Sequence, residues 1–252
     1  MKRRKKHIED PRKERLNELL GQNVHVVVDR PIGYCHNGIT YPVNYGYIPG
    51  MPGGDGEDQD AYILGVHTPL AEFDGWVIGG VRRLNDEEDK LIVAERGTVF
   101  HQAEIEEAVY FQEQFFDSFI VSLYHKSCGV VPYRDVDGHR QFLIILNRPG
   151  GFWGFPKGHM EVCETEIDTA QRELLEEVGL VAELEPETRT VISYPLPGHY
   201  KINKQVAFFK GRVSGEPVLK PDEVLDCKWV TEEEAWKCLL PGIAIGLQEL
   251  LK

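Results

Sequence analysis

Three glutamates in the second half of the chain have a spacing that could hold a metal ion. Glu173, Glu176 and Glu177 stand at positions i, i+3 and i+4. On an α-helix this spacing brings the three carboxylates onto one patch of the surface. Their mutual repulsion costs about 0.2–0.5 kcal/mol per pair on an isolated helix. A divalent cation would turn that repulsion into ligation, and hard oxygen donors suit Mg²⁺ or Mn²⁺.

The residues around these glutamates predict a helix with one buried face. Thr165 followed by Asp168 resembles a capping box, so we expect the helix to begin there. Gly179 suits a left-handed C-cap at the other end. An apolar stripe at steps of three or four residues would face a core; it consists of Ile167, Ala170, Leu174 and Val178. The carboxylate patch would therefore lie beside a buried stripe.

The segment around this helix resembles a known motif over its full length. It reads GHMEVCETEIDTAQRELLEEVGL from Gly158 to Leu180 and resembles the Nudix box without a departure. The resemblance implies a Mg²⁺-dependent enzyme, able to use Mn²⁺, that cleaves phosphoanhydride bonds in nucleotide-like substrates. The metal ligands that it implies are the Gly158 carbonyl and the carboxylates of Glu173, Glu176 and Glu177.

The same resemblance implies the catalytic groups. Glu164 and Arg172 would form an ion pair that orients the loop and the helix. Bound cations would polarise a phosphoryl oxygen and lower the pKa of an attacking water. The general base varies within the family, and the candidates are Glu176, Glu177 and Glu223. The alternative to all these roles is a solvated Glu-rich helix face, which the shared register of Gly158, Glu164 and Arg172 disfavours.

The approach to the box indicates a class of substrate. The run Phe155-Pro-Lys-Gly-His159 resembles the asymmetric diadenosine tetraphosphate hydrolases. By that likeness Lys157 would hold phosphate, His159 would belong to the substrate site, and Tyr200 would stack on a base. A surface lysine and an ordinary loop aromatic are the plain alternatives. Cleavage of diadenosine tetraphosphate to ATP and AMP is our prediction, with nucleoside triphosphates and diphosphoinositol phosphates left open.

The first half of the chain resembles the soluble family I inorganic pyrophosphatases. The likeness is carried by Tyr41–Ile48, Asp55–Asp60 and Asp86–Leu91, preceded by Asp29-Arg30. It implies a five-stranded OB-type barrel whose carboxylates bind Mg²⁺ around pyrophosphate; a solvated acidic loop is the alternative. The residues of this vestigial site would be Arg30, Tyr45, Asp55, Glu57, Asp60, Asp86 and Lys90.

Several departures separate this segment from that family. Glu57 stands in place of an aspartate, and Asp58 in place of the proline that normally follows. The upstream strand with its Glu and Lys is missing, and so is a downstream Tyr-Lys pair. We therefore expect weak or absent pyrophosphate hydrolysis, and a barrel that supports dimerisation or binds a phosphate ligand.

The distribution of strand and helix patterns predicts an α+β protein of two domains. Short β-branched runs dominate the first half, whereas strands and longer helices share the second. The predicted order is a basic leader with a short helix (1–22), a truncated pyrophosphatase-like barrel (23–100), a connecting helix (101–120) and an α/β/α Nudix sandwich (121–252).

Composition and charge exclude several other functions. With 42% hydrophobic and 27% charged residues, the 252-residue chain is typical of a soluble globular protein. Its apolar runs are far shorter than the roughly 20 residues that span a membrane. The first fifteen residues carry a net charge of +5 and leave about −18 on the rest, so a general affinity for nucleic acid is not expected. Five widely spaced cysteines without a C-x-x-C pair fit reduced thiols in the cytoplasm.

The expected partner is therefore a small nucleotide substrate, in a protein that we expect to form a homodimer. Two other functions stay open. One is a bifunctional enzyme whose second half releases pyrophosphate that the first half destroys. The other is a nucleotide-sensing module without turnover, which the loss of a box carboxylate would favour, and none is lost.

Overall fold

The computed structural model of this chain describes residues 10–148, 150–196 and 199–251, with the backbone alone at Tyr200. Most of the basic leader, Lys2–Lys6 included, lies outside the described residues. The described residues form two compact units, one of residues 10–124 with 199–202 and one of residues 125–196 with 203–251. None of their helices is long and apolar enough to cross a membrane.

The first unit begins with a short helix and continues as a run of strands. Its elements are α1 (Pro11–Leu19), β1 (Asn23–Arg30), β2 (Cys35–His36), β3 (Ile39–Thr40), β4 (Asn44–Pro52), β5 (Asp58–Ile63), β6 (Glu72–Arg83), β7 (Lys90–Ala94), α2 (Gln102–Glu113) and β8 (Ser118–Ser122). The short β-branched runs of the first half are strands, as predicted, among them β1, β5, β6 and β7. Helix α1 begins at Pro11, behind the N-cap Asp10.

Five of these strands close into a barrel. Their order is β1-β4-β5-β7-β6, and β1 pairs with both β4 and β6, which closes the ring. Strands β5 and β7 run parallel, whereas the other neighbours run antiparallel. Every residue of β7 is buried, as expected for a strand in the middle of a closed sheet. The predicted N-terminal β-barrel is therefore present.

The segment after the barrel differs from the helix predicted over residues 101–120. Helix α2 ends at Glu113, and Ser118–Ser122 forms β8, which pairs antiparallel with β6. The helical spacing of the aromatic residues beyond Glu113 misled the prediction, because β6 offers these residues an edge with which to pair. The pairing of Phe119 with Arg82 and of Ile120 with Val81 replaces the last helical turns.

The second unit is built around a seven-stranded sheet. Its elements are β9 (Tyr124–Val136), β10 (His139–Asn147), β11 (Trp153–Gly154), β12 (Lys157–His159), α3 (Glu166–Val178), β13 (Ala182–Leu196), β14 (His199–Val213), β15 (Val224–Val230), α4 (Glu232–Cys238), α5 (Pro241–Gly246) and α6 (Gln248–Leu251). The sheet runs β11-β10-β9-β14-β13, with β12 on β9 and β15 on β10.

Helices cover both faces of this sheet. Successive residues of β10 point to opposite faces: Leu143 packs with Leu174 and Val178 of α3, whereas Ile144 packs with residues of α4 to α6. The sequence of a strand that is buried on both faces is a continuous apolar run, and Phe142–Ile145 is such a run. The second unit is thus the predicted α/β/α sandwich.

Helix α3 begins and ends where the sequence indicates. Thr165 is the N-cap and forms a capping box with Asp168, while Gly179 ends the helix with a φ of 68°. Ala170, Leu174 and Val178 are fully buried. Ile167 is 39% exposed, so its assignment to the buried stripe was wrong. In this first turn Thr169 takes the buried position instead.

Candidate active site

One cavity of about 510 Å³ collects most of the residues that the sequence singles out in the second half. It lies where β12, α3 and the segment before β15 meet, so the box helix supplies one wall. Its lining residues are Asn147, Phe152, Lys157, Gly158, His159, Glu161, Arg172, Glu173, Glu176, Glu177, Lys204 and Glu223. Four carboxylates that the sequence predicted as ligands or bases therefore share one space.

Gly158 is required because the carboxylate of Glu173 lies directly against it. A Cβ at this position would collide with the Glu173 carboxylate, so only glycine permits the close approach. Glu173 is 8% exposed. Burial raises the pKa of Glu173, while Arg172 opposes the shift. The glycine of the box thus makes room for one of its glutamates.

Arg172 ties the loop before α3 to the helix. Its Nε and Nη2 atoms donate to the two carboxylate oxygens of Glu164 at 2.6 and 3.0 Å. It also donates to Glu173 Oε1 at 2.8 Å and to the carbonyl of His159 at 2.9 Å. The hydrogen bonds from Arg172 and Thr169 hold the pKa of Glu164 at about 2. This fork holds the loop that carries Gly158 against α3.

Glu177 is the most enclosed carboxylate of the cavity. It is 6% exposed, and its Oε2 accepts the backbone N–H of Lys157 at 3.0 Å. Burial raises the pKa of Glu177 to about 7; the nearby charges of Glu173 and Glu223 act in the same direction, and Lys157 opposes them. A cation placed among these carboxylates would favour their ionised forms.

Glu176 and Glu223 lie at the more open side of the cavity. Both side chains are 44% exposed. Lys220 Nζ lies 2.8 Å from Glu223 Oε1 and 3.9 Å from Glu176 Oε2. Arg172 Nη1 lies 3.7 Å from Glu176. These two carboxylates can reach solvent water, unlike Glu173 and Glu177.

Two lysines line the same cavity as the carboxylates. Lys157 pairs with Gly129 of β9 through its backbone, and Lys204 lies on β14. Burial, followed by the charge of Lys157, lowers the pKa of Lys204 to about 8. Burial, followed by Lys204 and His125, lowers the pKa of His159 to about 4. At neutral pH His159 is therefore an uncharged hydrogen-bonding group beside two lysines.

A second cluster of titratable groups lies in the barrel. Asp60 accepts hydrogen bonds from Lys90 Nζ at 2.6 Å and from the hydroxyl of Tyr45. Lys90 also pairs with Glu88, and Arg30 lies 5.0 Å from the centre of the Tyr45 ring. Burial would raise the pKa of Asp60, but the charge of Lys90 lowers it overall. Four of the seven predicted vestigial residues thus meet, together with Glu88, which the sequence did not single out.

The remaining three residues of that prediction lie elsewhere. Asp55 and Glu57 are exposed in the turn between β4 and β5, where Asp55 accepts the N–H of Glu57 at 3.1 Å. Asp86 pairs with Arg83 at 2.9 Å. Asp60 is paired with Lys90, and Asp86 is paired with Arg83. Because these carboxylates are already paired with positive side chains, the seven predicted residues do not fit a site for several Mg²⁺ ions around pyrophosphate.

The whole second half matches one family. The family model described as the NUDIX domain covers residues 123–252, which is more than half of the chain. This chain belongs to the Nudix family. The match includes the box residues and extends over the α/β/α sandwich that holds them.

Comparison with other proteins gives partial likenesses to this Nudix chain. Over 67 residues it is 40% identical to isopentenyl-diphosphate Delta-isomerase 1 of Aromatoleum aromaticum, a stretch that spans 27% of this chain and only 37% of that protein. It is similar to an Ap4A hydrolase of C. elegans at 27% identity, with 50% of this chain and 92% of that chain covered and a TM-score of 0.44. A MutT NUDIX hydrolase from Burkholderia pseudomallei is 23% identical, with 50% and 96% covered and a TM-score of 0.41. Because both TM-scores lie below 0.5, neither structure adds to the assignment.

The Nudix cavity fits a hard divalent cation by its donors. Five glutamates line it, and the missing side chain of Gly158 leaves room for the carboxylate of Glu173. Oxygen ligands of this type are those that Mg²⁺ and Mn²⁺ prefer. Among the described residues, no three His, Cys, Asp or Glu side chains lie in an arrangement that could hold a metal ion without moving. The side chains that would hold the metal are Glu173, Glu176 and Glu177.

Four lining residues of the Nudix cavity were not predicted: Asn147, Phe152, Glu161 and Lys204. Glu161 lies inside the box but was given no role, and nothing in the sequence singled out the other three. Asn147 and Lys204 reach the cavity through strand pairing, because β10 and β14 both neighbour β9. The backbone of Tyr200 lies in β14, but its side chain is not described by the structure.

Proposed function

We propose that this Nudix protein is a Mg²⁺-dependent hydrolase of nucleoside polyphosphates, with Mn²⁺ as a substitute cation. The observation that carries the proposal is the cavity, whose lining holds the box carboxylates together with Lys157 and Lys204. Carboxylates can bind cations, while lysines can bind the phosphates that those cations also contact. The two sets of groups together suit a polyphosphate and its counter-ions.

The roles of the residues follow from their positions. Glu173, Glu176 and Glu177, with the Gly158 carbonyl, would hold the metal, which when bound polarises the phosphoryl group and acidifies water. Lys157 and Lys204 would hold phosphate oxygens, with His159 as a neutral hydrogen-bonding neighbour. Arg172 would keep the loop and the helix in register through Glu164.

In the hydrolytic step, water attacks a phosphorus and the bridging P–O bond breaks. The water proton passes to a carboxylate of the cavity, and the leaving phosphate departs as an anion beside the lysines. Glu176, Glu177 and Glu223 are the candidates for the general base. Glu176 and Glu223 have the more exposed side chains, and Glu177 the more buried one.

We infer that the first substrate to test is diadenosine tetraphosphate, cleaved to ATP and AMP. Support for this choice comes from the Phe155-Pro-Lys-Gly-His159 run, which resembles the asymmetric diadenosine tetraphosphate hydrolases. In the structure Lys157 and His159 of this run line the cavity, as that substrate would require. Tyr200 remains our candidate for stacking on a base.

We further propose that the first unit is an OB-type barrel whose pyrophosphatase activity is weak or absent. The closed order of five strands with one parallel pair supports this fold. The ion pairs of Asp60 with Lys90 and of Asp86 with Arg83 support the loss of metal binding. Such a barrel could support a homodimer or bind a phosphate ligand.

The test of the proposed function is a substrate panel. The full chain is incubated with Mg²⁺ and diadenosine tetraphosphate, nucleoside triphosphates, a diphosphoinositol phosphate, pyrophosphate and isopentenyl diphosphate, and the products are separated by chromatography. We expect ATP and AMP from diadenosine tetraphosphate as the fastest reaction. Isomerisation of isopentenyl diphosphate without hydrolysis of any phosphoanhydride would overturn the proposal, as would nucleotide binding without turnover.

A further inference from the structure

The wall of the Nudix cavity contains an aromatic ring that the proposed chemistry does not use. Phe152 is the one hydrocarbon side chain among the described lining residues, and the others are charged, polar or glycine. Its side chain is half-buried. An apolar ring at the wall of a charged cavity gains free energy when a flat apolar partner covers it. The ring is therefore a candidate contact for a part of the substrate that is not phosphate.

The backbone around Phe152 holds the ring in place. The carbonyl of Phe152 accepts the N–H of Asn147 at 3.1 Å and its Nδ2 at 3.3 Å. Gly151 N–H donates back to the carbonyl of Asn147 at 3.1 Å. Asn147 is itself only 7% exposed, so the tight loop is anchored to a buried side chain at the end of β10.

Gly150 leaves space for the ring. A Cβ at Gly150 would come within 2.9 Å of the Phe152 ring, and Gly150 has a φ of 91° that favours glycine. Gly154, on the other side in sequence, also carries no side chain, and a Cβ there would lie 3.9 Å from the ring. The ring thus lies next to two glycines in a hydrogen-bonded loop, and Phe152 lines the cavity.

We propose that Phe152 stacks on a nucleobase of the substrate and selects nucleotides over polyphosphates that lack a base. The inference rests on the proposed function, since the carboxylates and lysines bind only the metal and the phosphates. Charged walls cannot distinguish a nucleotide from another polyphosphate of equal charge, whereas stacking can. Because every base has a π-face, the selection is for the presence of a base rather than for its identity.

The test compares ligands with and without a base. Binding of the methylene-bridged analogue of ATP and of inorganic tripolyphosphate is measured by calorimetry with Mg²⁺, for the wild type, Phe152→Ala, Phe152→Leu and Phe152→Tyr. Stacking of a base on the side chain at position 152 is lost in Phe152→Ala and Phe152→Leu and kept in Phe152→Tyr. We expect the Kd of the ATP analogue to rise roughly 5- to 150-fold in Phe152→Ala, and the Kd of tripolyphosphate to stay unchanged.

A matched control tests whether the change in Kd is specific to Phe152. Phe115→Ala removes a phenyl ring that is 63% exposed outside the cavity, and it should change neither Kd. Equal weakening of both ligands in Phe152→Ala, or equal affinity of the wild type for both, would overturn the inference. Tight nucleotide binding without hydrolysis would contradict the proposed hydrolase and leave the stacking contact supported, so the two failures are distinguishable.

Discussion

At the scale of single residues, the carboxylates of the Nudix cavity differ in the groups that balance them. Glu164 is balanced by Arg172, and its pKa is held at about 2. Burial raises the pKa of Glu173 and brings that of Glu177 to about 7. Arg172 beside Glu173 and Lys157 beside Glu177 offset this effect of burial only in part, so the pair has less compensating positive charge than Glu164. Binding of a divalent cation would supply it and release protons.

Lys157 is the residue whose side chain we expect to act most directly on phosphate. Lys157→Ala should lower kcat/KM by about 10²–10³-fold on the best substrate, because a fixed cation near developing phosphoryl charge stabilises the transition state. Steady-state kinetics of the purified variant measure this. Lys237→Ala is the control, since Lys237 is 68% exposed and paired with Glu233 on α4. An unchanged kcat/KM in Lys157→Ala would show that this lysine does not contact the phosphate and is an ordinary surface residue.

Some residues of the site could be read from the sequence and others could not. Helical spacing groups the three box glutamates, and the resemblance to the Nudix box adds Gly158, Glu164 and Arg172. Lys204 joins them only because β14 lies next to β9. Glu88 joins the barrel cluster through its pairing with Lys90. Spacing along the chain does not reveal contacts that depend on strand pairing.

At the scale of elements, the box loop and α3 form one structural unit, because Arg172 of the helix bonds to Glu164 and His159 of the loop. The capping box at Thr165 and Asp168 begins the helix, and Gly179 ends it, as the sequence predicts. Local signals decide such boundaries, because capping needs only neighbouring residues. The end of α2 was not predictable in this way, because residues 118–122 are a strand only when β6 is beside them.

The close approach of Gly158 to Glu173 gives a prediction for the loop. Gly158→Ala should destabilise the fold by about 1–3 kcal/mol through overpacking, and it should weaken Mg²⁺ binding because Glu173 must move. Thermal unfolding and Mg²⁺ calorimetry measure both effects. The control is Gly242→Ala in α5, where a Cβ meets nothing within 4 Å and alanine favours a helix. Equal behaviour of the two variants would show that the Gly158 contact has no consequence.

The ion pair between loop and helix predicts a pH dependence of stability. The pKa of Glu164 is about 2 in the folded chain against an ordinary value of 4.5. Its ionised form therefore stabilises the fold above pH 4.5, and this contribution is lost as the pH falls from 4.5 towards 2. Glu164→Gln should be less stable than the wild type at pH 7, and the difference should narrow over that window. Denaturant unfolding at several pH values measures it; a difference independent of pH would contradict the ion pair.

At the scale of the whole molecule, the chain combines a Nudix half with a barrel whose charges are internally paired. Arg12 and Arg82 pair with Asp89, and Arg83 pairs with the buried Glu113. These networks stabilise the barrel only when complete, because a buried charge without its partner is costly. The resemblance to pyrophosphatases could be read from the sequence, but the pairing of its acids could not. Homodimerisation and a cytoplasmic location stay predictions.

We therefore expect pyrophosphate hydrolysis by the full chain to be weak or absent. Several charge-stabilising groups of the pyrophosphatase family are missing, and Asp60 and Asp86 are paired with Lys90 and Arg83. Phosphate release from pyrophosphate is measured in the wild type, in Glu177→Gln and in Asp60→Asn. Fast release that survives Glu177→Gln and disappears in Asp60→Asn would establish an active barrel. It would also favour the bifunctional enzyme.

The most direct test of the central claim is the Mg²⁺ dependence of diadenosine tetraphosphate hydrolysis in matched glutamate variants. Glu176→Gln and Glu177→Gln each remove one charge from the cavity, whereas Glu187→Gln removes one from an exposed position on β13. Initial rates are followed by chromatography of ATP and AMP over a Mg²⁺ titration. We predict a fall of several orders of magnitude in the first two variants with the fold retained, and a wild-type rate in the third. Near wild-type turnover in Glu177→Gln at saturating Mg²⁺ would contradict the assignment of the metal and of the reaction to this cavity.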